Sequence, residues 1–276
     1  MPTTAFVLGG GGLLGAVEVG MLRALFEAGI RPDLVLGTSV GALNGALVAA
    51  DPGPPVVERL LELWRSAAAT KEVYGDNPVR QVTRAVRTGT HLHSSRPLRE
   101  RLVQELGELR FEDLPVRFQC CAAHIETASE HWFSTGRVTD AVMASAAVPG
   151  LLRPAEVDGE HYLDGGVVNS VPVGRAVELG ASTVYVLQVG RVDRPLKAPT
   201  KPWEVARVSF EIARRHRFHR EMAALPDSVT AHVLPTGGSG GSKDDSLLSY
   251  RDFGAVLRRI DAAHDATTAY LAGVAR

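Results

Sequence analysis

Ser39 stands in Gly37-Thr38-Ser39-Val40-Gly41, a Gly-x-Ser-x-Gly pattern between the apolar run Leu34-Val35-Leu36 and a helix-compatible run from Ala42 to Ala50. Strand, sharp turn and helix in that order lift a serine hydroxyl out of a sheet as a nucleophile. The flanking glycines matter sterically, because side chains there would strike the neighbouring strand and helix. A second stretch, Gly10-Gly11-Gly12-Leu13-Leu14-Gly15, follows the β-type run Ala5 to Leu8. Backbone N–H groups at a helix N-terminus, unobstructed by side chains, form a cradle for a developing oxyanion. In a parallel sheet the first two βα turns emerge at the same carboxyl edge, so this loop and Ser39 can lie side by side. A third stretch supplies a base. Asp164 follows His161-Tyr162-Leu163 and precedes Gly165-Gly166, and an apolar segment restarts at Val167. A carboxylate at that strand end could take the Ser39 proton in a two-residue dyad.

Two other chemistries compete for these residues. The glycine run matches G-x-G-x-x-G, the dinucleotide fingerprint, which needs an acidic residue about 20 positions on at the end of the second strand. Asp33 lies before that strand, and Gly37-Thr38-Ser39 occupies its end. A Ser…Asp…His order could recruit His216, His219, His232 or His264 as base. His216 and His219 fall in a basic helix and His264 in the last helix, positions where surface histidines are ordinary. No metal-binding spacing is present, and no cofactor is expected.

The elements that must position these residues follow from punctuation and periodicity. Strands are expected at Ala5 to Leu8, Leu34 to Leu36, Val116 to Ile125, His131 to Ser134 and Thr183 to Val189, with a hairpin turning at Asp158-Gly159. Helices are expected at Gly15 to Ala28, Ala42 to Ala50, Val56 to Ala69, Pro97 to Gly107, Thr139 to Ala147, Val173 to Leu179, Lys201 to Leu225 and about Leu248 to Val274. The first fifty residues therefore read β-α-β-α with short connections, which argues for a parallel α/β sheet. Thr70 to Ser95 is mixed and polar, the expected cap and pocket wall over a site, and Thr236 to Asp245 reads as a loop.

With 276 residues, 45% of them hydrophobic, the chain can bury a large core, and residues 1–276 are expected to form one domain. A net charge of −1 gives no global field for nucleic acid. Cys120 and Cys121 are adjacent, so they point to opposite strand faces and are expected as packed thiols in a reducing compartment. Met1-Pro2-Thr3-Thr4 runs directly into Ala5 with no basic region or cleavage site, so a cytoplasmic location is expected. The longest uncharged run, Leu34 to Ala50, is too short for a membrane span. Its Gly37, Gly41 and Gly45 fit a helix packed closely on a sheet.

Taken together, the glycine run Gly10 to Gly15, the serine turn, the run Ala144-Ser145-Ala146-Ala147-Val148-Pro149 and the Asp164-Gly165-Gly166 triplet resemble the bacterial patatin-like phospholipases, over about Phe6 to Val189. The resemblance implies a three-layer α/β/α fold with a mostly parallel central sheet. It also implies Ser39 as nucleophile, Asp164 as base without a catalytic histidine, and the amides of Gly10, Gly11 and Gly12 as oxyanion donors. The expected substrate is a lipid or acyl ester. One departure stands out. The family loop usually carries Arg or Lys before its last glycine, and here that position is Leu14. The missing cation shifts the expectation toward neutral esters or acyl transfer, with a lipid-binding protein lacking turnover as the non-enzymatic reading. Between Lys201 and Leu225, Lys201, Arg207, Arg214, Arg215, Arg217 and Arg220 outnumber Glu204, Glu211 and Glu221. That helix fits either a solvated face packed on the core or a peripheral contact with an anionic membrane.

Overall fold

The structure, a computed structural model, describes residues 3–70, 93–189, 195–238 and 253–274. Most of the expected cap between Thr70 and Ser95, and residues 239–245 of the expected loop, lie outside them. Five strands are parallel neighbours: β1 (Thr3–Leu8), β2 (Leu34–Thr38), β3 (Arg117–His124), β7 (Ala181–Leu187) and β8 (Thr230–Val233). Three more join antiparallel: β4 (Ser129–Phe133), β5 (Ala155–Val157) and β6 (Glu160–Asp164). The path through the sheet is β5-β6-β3-β2-β1-β7-β8, with β4 also paired to β3. The sheet is mostly parallel, as expected. The β5–β6 turn at Asp158-Gly159 has φ of 53° and 84°, the left-handed pair that a two-residue hairpin turn needs.

Alternation along the strands makes the three layers. Phe6 and Leu8 of β1, with Val35 of β2, face one core. That core is covered by α1 (Ala16–Glu27), α2 (Val40–Ala50), α3 (Pro55–Thr70), α4 (Arg96–Leu106), α5 (Val138–Ser145) and α8 (Phe253–Val274). Ala5 and Val7, with Leu34 and Leu36, face a second core closed by α6 (Val173–Glu178) and α7 (Pro202–Ala223). Strands apolar on both faces are the mark of a parallel sheet buried between helices. The two thiols divide as the alternation predicts, Cys120 lying in the first core and neither forming a disulfide.

One register detail positions the site. On β3, Thr38 of β2 is opposite Cys121, and Asp164 of β6 is opposite Ala122. β4 runs opposite Cys120 to His124, so it takes the other edge of β3. β2 and β6 therefore meet end to end on a single edge. Two residues 125 apart in sequence, Ser39 and Asp164, are thrown together by that meeting.

β8 was not among the expected strands. Thr230-Ala231-His232-Val233 is short, edge-placed and only partly buried, so it carries little of the apolar signal that marked its neighbours. Helix contacts also depend on glycine. A Cβ at Gly20 of α1 would stand 2.0 Å from the carbonyl oxygen of Ile260 in α8. Gly20→Ala must push the two helices apart, so we expect it to lower the unfolding free energy by roughly 1–3 kcal/mol. Chemical denaturation checks this, and an unchanged midpoint and slope would contradict the close packing.

Candidate active site

The serine turn is built by exclusion. A Cβ at Gly37 would lie 2.5 Å from Ala42 Cα, and one at Gly41 2.3 Å from Leu8 O, both backbone atoms that cannot step aside. Side chains at these positions would break the turn, as the sequence spacing implied. Ser39 adopts φ 57° and ψ −123°, a sparsely populated conformation for a residue with a Cβ. Packing on every side holds it there. α2 presses on the sheet, with a Cβ at Gly45 falling 3.1 Å from Val35 Cγ1.

Ser39 Oγ donates to Asp164 Oδ2 at 2.5 Å, and both residues are almost wholly buried. The other carboxylate oxygen, Oδ1, accepts the Gly166 amide at 2.7 Å, so the Asp-Gly-Gly turn aims its own aspartate. Gly165 is required because a Cβ there would sit 2.1 Å from the Cys121 carbonyl oxygen. Burial pushes the Asp164 carboxyl up to about 6 from the ordinary 3.8, against the Ser39 and Gly166 hydrogen bonds that favour its ionised form. A carboxylate in that range is strong enough as a base yet ionised at neutral pH. Among the described residues no histidine hydrogen-bonds Ser39 or Asp164. His264 pairs with Glu27 at 2.6 Å, His232 meets Tyr270, and His216 and His219 are exposed on α7.

The glycine loop lies against Ser39, with a Cβ at Gly10 falling 3.4 Å from Ser39 Cβ. Its three amides are not equivalent, which narrows the expectation that Gly10, Gly11 and Gly12 all act as donors. The Gly10 N–H is committed to the Ser170 carbonyl at 2.8 Å. No hydrogen bond of the described residues uses the Gly11 or Gly12 amide, and Gly12 adopts φ 58°, a conformation that favours glycine. Sequence could not have separated them, because the partner of Gly10 comes from a loop 160 residues away. A single turn of 3₁₀ helix, Gly12–Gly15, leads into α1. Asn44 of α2 fastens this junction, its Nδ2 donating to Gly15 O at 3.1 Å and Glu18 Oε2 at 2.7 Å. Burial raises the Glu18 carboxyl well above the usual range, against the Asn44 hydrogen bond that favours its ionised form.

A mostly apolar cleft of about 120 Å³ opens beside Ser39 and Gly12, walled by Leu13, Val40, Leu43, Leu63, Trp64 and Leu98. Ser94 and Arg101 are its other polar members. The walls come from α2, α3, α4, the Gly12–Gly15 turn and the residues after α5, and Ser94 belongs to the expected Thr70 to Ser95 stretch, most of which lies outside the described residues. Leu14 packs partly buried against the core. Among the described residues the group with metal-ligand spacing is His124, Glu126 and Glu160, at the end of β3, the β3–β4 turn and the start of β6, where His124 Nε2 lies 3.8 Å from Glu126 and 3.3 Å from Glu160. On α7, Arg214 and Arg215 pair with Glu211, and Arg217 with Glu130 and Glu221, while Val205, Phe210 and Ile212 are exposed. No helix among the described residues is long and apolar enough to cross a membrane.

Comparison with known proteins adds a family. A family model described as patatin-like phospholipase matches residues 6–177. Over 199 residues the chain is 31% identical to lysophospholipase nte1 of Aspergillus terreus, covering 69% of this chain and 12% of that protein. Over 198 residues it is 35% identical to a patatin-like phospholipase domain-containing protein of Caenorhabditis elegans, covering 68% of this chain and 14% of that one. The chain thus spans about an eighth of the length of these curated relatives. Among solved structures it is similar to VipD from Legionella pneumophila at 13% identity and a TM-score of 0.48, covering 99% of this chain and 67% of that one.

The buried carboxylate has a consequence for stability. Its folded value, about 6, lies above the unfolded 3.8, so the folded state holds the proton more tightly. The stability this lends is fully present below pH 4 and lost as pH rises through 6, a swing of about 3 kcal/mol. An asparagine at this position keeps the shape, its Nδ2 donating to Ser39 Oγ and its Oδ1 accepting from Gly166. Asp164→Asn should therefore be more stable than the wild type at pH 8, and the gap should close toward pH 4. Unfolding free energies at the two pH values check this; an equal gap at both would contradict it.

Proposed function

The chain belongs to the patatin-like phospholipase family, and from that premise we propose that it is a serine lipolytic hydrolase cleaving acyl esters, as a phospholipase A, lysophospholipase or carboxylesterase. The observation that carries this reading is the 2.5 Å hydrogen bond between Ser39 Oγ and Asp164 Oδ2 in a buried pair. Asp164 accepts the Ser39 proton as Oγ attacks the acyl carbonyl, and the proton passes to the departing alcohol. An acyl-Ser39 ester remains. Water, deprotonated by Asp164, then releases the fatty acid and restores the hydroxyl. The Gly11 and Gly12 amides, with the N-terminus of α2, face the developing oxyanion, each such donor contributing about 3 kcal/mol. Gly10 supports the cradle by donating its N–H to the Ser170 carbonyl rather than to the oxyanion.

The apolar cleft beside Ser39 fits the acyl chain. Leu14 offers no cation at the glycine loop, which supports a neutral ester or a zwitterionic lipid over one recognised by a charge there. All strands of the described residues join one sheet covered on both faces, which supports a single domain.

With p-nitrophenyl acyl esters, Ser39→Ala should lose at least about 1,000-fold in kcat and Asp164→Asn at least about 100-fold. Undiminished turnover by Ser39→Ala would sink the scheme. Because the base must be ionised, kcat/KM should rise with pH through about 6 and level off above it. A profile still rising beyond pH 8 would point to a different base.

A further inference from the structure

The run Ala144-Ser145-Ala146-Ala147-Val148-Pro149 has no part in the chemistry above, yet it touches both halves of the dyad. Ser145, at the last turn of α5, is fully buried. A serine mid-helix ordinarily turns back to its own helix carbonyls. Here its Oγ reaches outward instead. It accepts the Ser39 backbone N–H at 2.9 Å and donates to the Cys121 carbonyl at 2.6 Å. The hydroxyl thus bridges β2 and β3 at the point where they part, since Thr38 and Cys121 are the last residues paired between them. Two residues on, the Ala147 carbonyl accepts the Asp164 amide at 2.9 Å. One helix end therefore holds the backbone of the serine and of its partner.

We propose that Ser145 is a positioning residue that fixes the strained Ser39 backbone, so that Oγ points at Asp164 and at the acyl carbonyl. The strain at φ 57° persists only while the surroundings over-determine it. The glycine contacts constrain this turn sterically, and the Ala42 and Leu43 amides hold the Ser39 carbonyl, whereas Ser145 is the side chain that engages the Ser39 N–H. Small residues are needed around it. Ala144 is fully buried, and Ala146 and Val148 line the cleft next to Ser39, where a longer side chain at 146 would fill the space for substrate. Pro149, which lacks an N–H, follows the end of the helix.

The inference rests on Ser39 being the nucleophile, so the experiment separates the two. Wild type, Ser39→Ala and Ser145→Ala are compared, with Ser145→Cys replacing the last if it does not fold. Active sites are counted by end-point labelling with a fluorophosphonate. Acylation of the counted sites by a p-nitrophenyl acyl ester is then followed before steady state. A positioning role predicts that Ser145→Ala acylates roughly 10- to 100-fold more slowly per counted site, with KM nearly unchanged. A merely structural role lowers the melting temperature and the number of sites but leaves the rate per site intact, and that result would overturn the proposal. Acylation of Ser39→Ala at the wild-type rate would instead remove the nucleophile on which it rests.

Discussion

The constraint on which this molecule turns is the sharing of one edge of β3 by two strands that run in opposite directions. β2 arrives parallel and stops at Thr38; β6 arrives antiparallel and stops at Asp164. Their ends abut because Thr38 and Asp164 pair with consecutive residues, Cys121 and Ala122. A slip of one residue in either register would turn the side chains to the opposite sheet faces and part the dyad. The glycines at 37, 41 and 165 serve that meeting. Each clears a backbone atom that a Cβ would strike. The Ser39–Asp164 pair is thus positioned by the sheet, which suits the sub-ångström alignment that the proposed chemistry needs.

Burial does two things at once at this junction. It raises the basicity of Asp164, and it makes the ionised carboxylate a destabilising group at neutral pH. The same apolar surroundings extend into the cleft, where Val40, Leu43 and Leu63 line the approach to Ser39. Glu18, on the other side of the glycine loop, is also pushed toward its neutral form.

Much of this could be read from the sequence because its signals are local. Strands apolar on both faces, glycine stops after helices, and serine and aspartate at strand ends each announce themselves within a few residues. The hairpin at Asp158-Gly159 and the packing glycines of α2 belong to the same class. What escaped was non-local or weakly apolar. β8 is a half-exposed edge strand with a histidine in it. The engagement of the Gly10 amide depends on Ser170, and the bridge made by Ser145 depends on Cys121, neither encoded near its partner. The described cleft walls are assembled from several helices and turns whose inward faces were legible singly but not as a set.

In the proposed mechanism Asp164 alone activates Ser39. The most direct test is to react wild type and Asp164→Asn with a fluorophosphonate for timed intervals and to map the added mass by peptide mass spectrometry. An Asp164 base predicts that the mass appears on the peptide holding Ser39 and nowhere else, and far more slowly in the Asp164→Asn protein. Labelling at a different residue, or at Ser39 equally fast in both proteins, would contradict it.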